Sequence, residues 1–165
     1  MAEMRNINLD IDTRQKFSIN GDPNKVIELD TRDINIVNRY KESIDKMKSM
    51  QDDYARLNTI SKEMSEISDG ENAEEETLKK VTEFTDKMKE LERAMRDVID
   101  YIFDTKMSDT ICGNSSIFSP VNGKSVKFEQ ILDTFAGLYE KDIKSDMVKI
   151  NKEKIKKRTT KYAHK

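Results

Sequence analysis

A mainly α protein with a small β part is predicted, built as an N-terminal β-hairpin, a long antiparallel helical hairpin and a C-terminal helix. Three patterns in the 165 residues lead there. Apolar residues recur at steps of three and four over residues 33–68 and again over 73–107, with only Asp69, Gly70, Glu71 and Asn72 between the two runs. Alternation with a period of two precedes them, and a third helical run, richer in aromatics, follows. The chain divides accordingly into a β-hairpin region (1–32), the helical hairpin (33–107), a loop with the C-terminal helix (108–148) and a basic tail (149–165).

In the first region Ile7, Leu9 and Ile11 alternate with Asn8, Asp10 and Asp12, the pattern of a half-buried strand. Phe17 and Ile19 continue the alternation, and Ile27 and Leu29 resume it after Gly21, Asp22, Pro23 and Asn24. That turn chemistry predicts a β-hairpin with strands at 16–20 and 25–30. A lone hairpin is marginal in water, so it must pack on the helices or pair with a strand of another chain.

Thr31 or Asp33 can cap the first long helix by accepting from its free amides. Its stripe runs Ile34, Val37, Tyr40, Ile44, Met47, Met50, Tyr54, Leu57, Ile60, Met64, Ile67, with steps averaging about 3.3 residues. A straight seam needs about 3.5, so the stripe must drift around the helix or the helix must break, with residues 49–53 the expected place. The second stripe, Leu78, Val81, Phe84, Met88, Leu91, Met95, Val98, Ile102, averages about 3.4 and keeps a steadier face. Joined by a short Gly-containing turn, the two fold back on each other as arms roughly 50 Å long. The stripes are expected to cover each other, with room left for a partner's helix to complete the seam.

Residues 108–125 break regular structure with Gly113, Asn114, Ser115, Ser116, Ser119, Pro120, Asn122 and Gly123, while Ile117 and Phe118 in their midst are expected to pin the loop to the body. From Ser125 a third helix is predicted, with Phe128, Ile131, Leu132, Phe135, Leu138 and Tyr139 on one broad face. Packing against the base of the hairpin is its first expected use, and a partner groove its second. Residues 149–165 hold eight basic residues and one acidic residue. Such a tail suits a solvated, frayed end, or an acidic surface such as nucleic acid or the acidic face of another copy.

Composition narrows the chemistry. Hydrophobic residues are 35% and charged residues 38%, so the core is thin for the length and the excess charge belongs on solvated helix faces. Cys112 is the only cysteine and His164 the only histidine, one residue from the end. A nucleophile with an oriented base is therefore not expected, and neither is a thiolate metal site. Glu74, Glu75 and Glu76 open the second helix, where negative charge complements the helix dipole. No phosphate-cradling glycine motif is present. The expectation is a non-enzyme with no cofactor and no metal. No run approaches the ~18 apolar residues of a membrane span and no apolar leader opens the chain, so a cytoplasmic location is expected.

The run from Lys16 through Phe17, Ile19, Asn20, Gly21, Asp22, Pro23, Val26, Ile27, Leu29, Asp30, Thr31, Arg32, Asp33, Ile34, Asn35, Ile36, Val37, Asn38 and Arg39 to Tyr40 carries a resemblance. So do Val98, Ile99, Asp100, Tyr101, Ile102, Phe103 and Asp104, the Ile117, Phe118 loop, and the Phe128 to Tyr139 helix. These segments resemble small tail proteins of long-tailed phages and prophages, above all the tail assembly chaperones. The resemblance implies a non-catalytic protein that binds the tape-measure protein of a growing tail, keeps its apolar helices soluble and recruits tail-tube subunits. It also implies departure before the virion is complete, and action in the host cytoplasm. Nine methionines suit an adaptable apolar surface, though most are equally good core filler. Candidate partner-binding residues are Ile117, Phe118, Phe128, Phe135, Leu138 and Tyr139, with Lys154, Lys156, Lys157 and Arg158 on the tail. A structural tail or connector subunit retained in the virion is the alternative. A small nucleic-acid-binding regulator using the tail is the second alternative, with nucleic acid the less expected partner because aromatic stacking platforms are missing. A homo-oligomer fits any of these readings.

Overall fold

The computed structural model describes residues 4–9, 11–67 and 70–163, with side chains to residue 158. Ser68 and Asp69 of the inter-helix connector, Asp10 and His164 lie outside the described residues. The architecture is the mainly α one expected: a small antiparallel N-terminal hairpin, two long helices packed as a hairpin and a C-terminal helix. No helix among the described residues is long and apolar enough to cross a membrane.

Strands β1 (Gln15–Ile19) and β2 (Asp22–Leu29) pair in a register that places Gln15 opposite Leu29 and Phe17 opposite Ile27. The turn sits one residue earlier than the proline suggests. Asn20 and Gly21 both adopt positive φ, 53° and 74°, which the tight reversal of a two-residue hairpin demands and which Asn-Gly tolerates. Pro23 falls instead at the start of β2, beside a register shift at Ser18/Ile19, where no ladder donor is missed. The strand expected from Ile7, Leu9 and Ile11 does not form. These residues run without strand pairing and are 81%, 69% and 76% exposed, since no strand edge of the described chain lies alongside to complete a ladder.

Helix α1 (Ile36–Ser65) begins after a tight turn in which the Asp33 carboxylate accepts from the Asn35 amide at 2.9 Å; Asn35 is the residue at the cap position and makes no side-chain bond there, so Asp33 shapes the turn rather than capping the helix. Thr31 is used otherwise, its hydroxyl donating to Asp142 on the C-terminal helix at 2.5 Å. The helix is continuous through 49–53, and the stripe drifts instead of breaking. At its start Ile36, Arg39 and Ser43 face inward while Ile34, Val37 and Tyr40 are 70%, 66% and 45% exposed; farther along Met50, Leu57 and Ile60 are buried.

Helix α2 (Ala73–Phe103) returns along α1 and buries Leu91, Met95, Val98, Ile99, Ile102 and Phe103. Asp104, with φ 50° and ψ 44°, ends it, and the Thr105 amide reaches back to the Asp100 carbonyl at 3.1 Å. Near the hairpin tip the pairing is mostly polar. Lys80 meets Glu63 at 2.6 Å, Arg56 meets Glu83 at 2.8 Å and Lys87 meets Asp53 at 2.9 Å, while Leu78 remains 66% exposed.

The core therefore sits at the base of the hairpin. A short helix α3 (Ser108–Cys112) follows, its first amides received by the Asp100 carboxylate at 3.0 and 2.8 Å. A second miniature hairpin, β3 (Pro120–Val121) with β4 (Ser125–Val126), closes through Asn122 and Gly123, again both at positive φ. This takes Ser125 and Val126 from the predicted helix, so α4 starts two residues later and runs Lys127–Ala163. Phe103 anchors it, with ring centroids 5.7 Å from Phe135 and 5.8 Å from Tyr139. Where a frayed tail was expected, the described residues 149–163 continue α4 as helix.

Candidate partner-binding surface

Two elements position the surface, a tethered loop and a long helix. Glu92 and Arg96, one turn apart on α2, organise the loop between α3 and β3. Glu92 accepts from Arg96 Nε at 2.9 Å, from the Ile117 amide at 2.8 Å and from the Ser116 hydroxyl at 2.7 Å. Arg96 donates to the Asp109 carboxylate at 2.8 Å and to the carbonyls of Gly113 and Ser115 at 3.1 and 2.8 Å. Five donors in a planar fork make arginine suited to gathering several carbonyls and a carboxylate at once. The result buries Ile117 completely and lays Phe118 between Tyr54 and Phe128, with ring centroids 5.8 Å from each.

A second arginine fastens the other side. Arg39 Nε donates to the Ile102 carbonyl at 2.8 Å, at the C-terminal end of α2 where a cation complements the dipole, and Nη1 meets Asp33 at 2.8 Å. Burial pushes the Asp33 carboxyl up, but the Arg39 hydrogen bond, the Asn35 amide and the nearby guanidinium charges outweigh it and hold the group below its ordinary value. Arg32 reaches Asp146 on α4 at 2.6 Å. Arg39 thus fixes the start of α1 to the end of α2, while Arg32 on Asp146 and Thr31 on Asp142 tie α4 to the segment that leads into α1.

Between α1 and α4 lies a groove of about 330 Å³, lined by Ile36, Val37, Tyr40, Ala136, Tyr139, Glu140, Ile143 and Lys144 and almost wholly apolar where it is open. Exposed Ile34 precedes it on the chain and exposed Met147, one turn beyond Ile143 on α4, follows it. On the opposite flank of α4 a larger groove of about 480 Å³ runs between β1, α3 and α4, with Phe17, Ile19, Ile111, Ile131, Phe135 and Leu138 among its walls.

The candidate residues separate into three sets. Ile117, Phe135 and Tyr139 belong to the core, at 0%, 7% and 2% exposure, so they support the surface from beneath and are not themselves free to dock. Phe118, Phe128 and Leu138 are half-buried and packed on the core. Lys154, Lys156, Lys157 and Arg158 are exposed on α4 beyond the body. Sequence reasoning missed Val37, Tyr40 and Ile143 as groove walls. The signal was the short 3.3-residue step, which carries Ile34, Val37 and Tyr40 off the face that α2 covers.

The described residues contain no group of three or more His, Cys, Asp or Glu placed to share a metal ion. Burial pushes the Cys112 thiol up, which suits a packing role rather than a reactive thiolate. Burial also pushes Tyr139 up to about 12. A folded-state value above the unfolded one contributes stability fully present below pH 10 and lost as pH rises toward 12. In an alkaline titration followed by tyrosine absorbance, Tyr139 should therefore ionise last, together with loss of tertiary structure; ionisation near the ordinary value with the fold intact would contradict its burial.

The chain matches no known family model, no curated protein and no solved structure.

Proposed function

We propose that this protein is a non-catalytic assembly chaperone for the tail of a long-tailed phage or prophage, holding apolar helices of the tape-measure protein and delivering them to tail-tube subunits. The observation that carries this reading is the open apolar groove between α1 and α4, whose Val37 and Tyr40 are solvent-facing on a helix that could have buried them. An amphipathic helix lays its apolar face into such a groove through anchors three and four residues apart. Two of the segments that resemble the tail assembly chaperones supply its walls: the first turns of α1 and the end of the α4 face that runs from Phe128 to Tyr139. Binding takes place in the host cytoplasm during assembly, and no catalysis is involved.

The test is binding of purified protein to fragments of a tape-measure chain, comparing the native sequence with Val37→Asp. Val37 is 66% exposed, so the substitution leaves the core untouched. A charge facing the docked helix should weaken binding at least tenfold, about 1.4 kcal/mol. Unchanged affinity removes the groove from the reading. The exposed basic stretch of α4 favours a second reading, a small nucleic-acid-binding regulator. Its signature is affinity that falls steeply with salt, as phosphate contacts require, whereas apolar helix docking changes little.

A further inference from the structure

The two ends of the molecule carry opposite charge, and among the described residues no ion pair joins one end to the other. Between Glu63 and Leu78 there are seven acidic residues and no basic one, and the six of them that are described lie at the tip of the helical hairpin. Residues 149–158 of α4 hold six basic residues and one acidic. Some of this charge is used locally: Glu63 pairs with Lys80, Glu75 with Lys79 and Lys149 with Asp146. Among the described residues, Glu66, Glu71, Glu74 and Glu76 form no ion pair, and Lys152, Lys154, Lys157 and Arg158 form none either.

Geometry forbids the two sets from meeting in one copy. Helix α4 crosses the base of the hairpin, where Phe135 and Tyr139 pack on Phe103, and its last tie to the body is Asp146 on Arg32. The rest of α4 continues past the base, with every residue from 147 to 158 exposed. The tip lies at the other end of α1, a helix of 30 residues and hence about 45 Å. Each end also exposes apolar side chains that no described residue covers: Leu78 and Val81 beside the acidic tip, Met147 and Ile150 on the basic arm.

We propose that copies of this chain associate head to tail, the basic arm of α4 on one copy lying against the acidic hairpin tip of the next. A single exposed ion pair contributes little, so the contact depends on several pairs acting together around the apolar side chains. Because the two patches differ, the contact is heterologous and repeats from copy to copy, giving a ring if the rotation closes and an open filament if it does not. This stands apart from the groove between α1 and α4, which neither patch includes.

The test is sedimentation velocity of the full chain across a concentration series, at ~0.1 M and ~1 M salt, where screening shortens the reach of exposed charges from about 10 Å to about 3 Å. Two variants accompany it. One carries Lys152→Glu, Lys154→Glu, Lys157→Glu and Arg158→Glu, all on an arm that touches no core residue; the other carries Glu66→Lys, Glu71→Lys, Glu74→Lys and Glu76→Lys. The native chain should grow in mass with concentration at low salt and return to monomer at high salt. Each variant alone should stay monomeric, and an equimolar mixture should associate again, because each reversed patch then meets an opposite one. Recovery in the mixture also shows that both variants are folded. A native chain that stays monomeric at low salt overturns the proposal, including the case in which it shifts a DNA duplex while remaining monomeric. Arm-reversed protein with native far-UV circular dichroism that associates as the native chain does overturns it equally.

Discussion

Arg96→Ala should destabilise the fold by about 2 to 3 kcal/mol, the cost expected when several partly buried acceptors lose a charged donor. Arg96 is 8% exposed, and its guanidinium serves Glu92, Asp109 and two loop carbonyls at once. Without it Glu92 keeps only the Ser116 and Ile117 donors, while the carbonyls of Gly113 and Ser115 lose theirs in a partly buried site. The loop that seats Ile117 and Phe118 should loosen first, so near-UV signal from the aromatic cluster of Tyr54, Phe118 and Phe128 should fade before helix content does. Arg96→Lys should recover only part of the loss, since an ammonium cannot reproduce the fork. Urea denaturation measures both, with Lys79→Ala as the control. The Lys79 pair with Glu75 is exposed, and its loss should change stability by less than about 0.5 kcal/mol.

Phe103→Ala should cost about 3 to 5 kcal/mol for a different reason, a cavity where two rings had a partner. Phe103 is 1% exposed and is the residue on which Phe135 and Tyr139 of α4 both pack. Truncation therefore detaches α4 as well as emptying the core, and the ties of Thr31 to Asp142 and Arg32 to Asp146 are too few to hold it. Phe103→Leu fills most of the space and should cost less than about 1.5 kcal/mol. Hydrogen exchange should show amides of α4 between Ile131 and Tyr139 exposed earliest in the alanine variant; uniform loss of protection across α1 and α2 instead would place the anchor elsewhere.

Much of this architecture was legible because its periods are long. The apolar repeat of α2 persists over eight positions, enough to place a helix and its buried face. What escaped had local causes. Asn20 with Gly21, and Asn122 with Gly123, turn the chain through positive φ, yet nearby prolines drew the first turn too late and hid the second hairpin altogether. Ile7, Leu9 and Ile11 alternate as a strand does, but alternation supplies no partner edge.

The candidate surface was harder to read for a related reason. Ile117, Phe135 and Tyr139 look alike in sequence whether they dock a partner or fill a core, and only the packing of α4 on Phe103 and the tether from Glu92 decide it. Arg39 and Arg96 are no different in sequence from the solvated charges around them, yet each is 8% exposed, Arg39 holding the end of α2 and Arg96 the loop that seats Ile117 and Phe118. The groove itself follows from the drift of the α1 stripe, a departure of a few tenths of a residue per step that moves Val37 and Tyr40 from the seam to solvent.

The most direct measurement is recovery of tagged protein from phage-producing or prophage-induced cells, with soluble lysate and purified particles compared by mass spectrometry for the native chain and for Val37→Asp. An assembly chaperone with its docking site between α1 and α4 predicts a long helical tape-measure chain in the lysate fraction, loss of that chain with Val37→Asp, and absence of the protein from particles. Stoichiometric presence in particles, or tape-measure recovery unaffected by Val37→Asp, would contradict it.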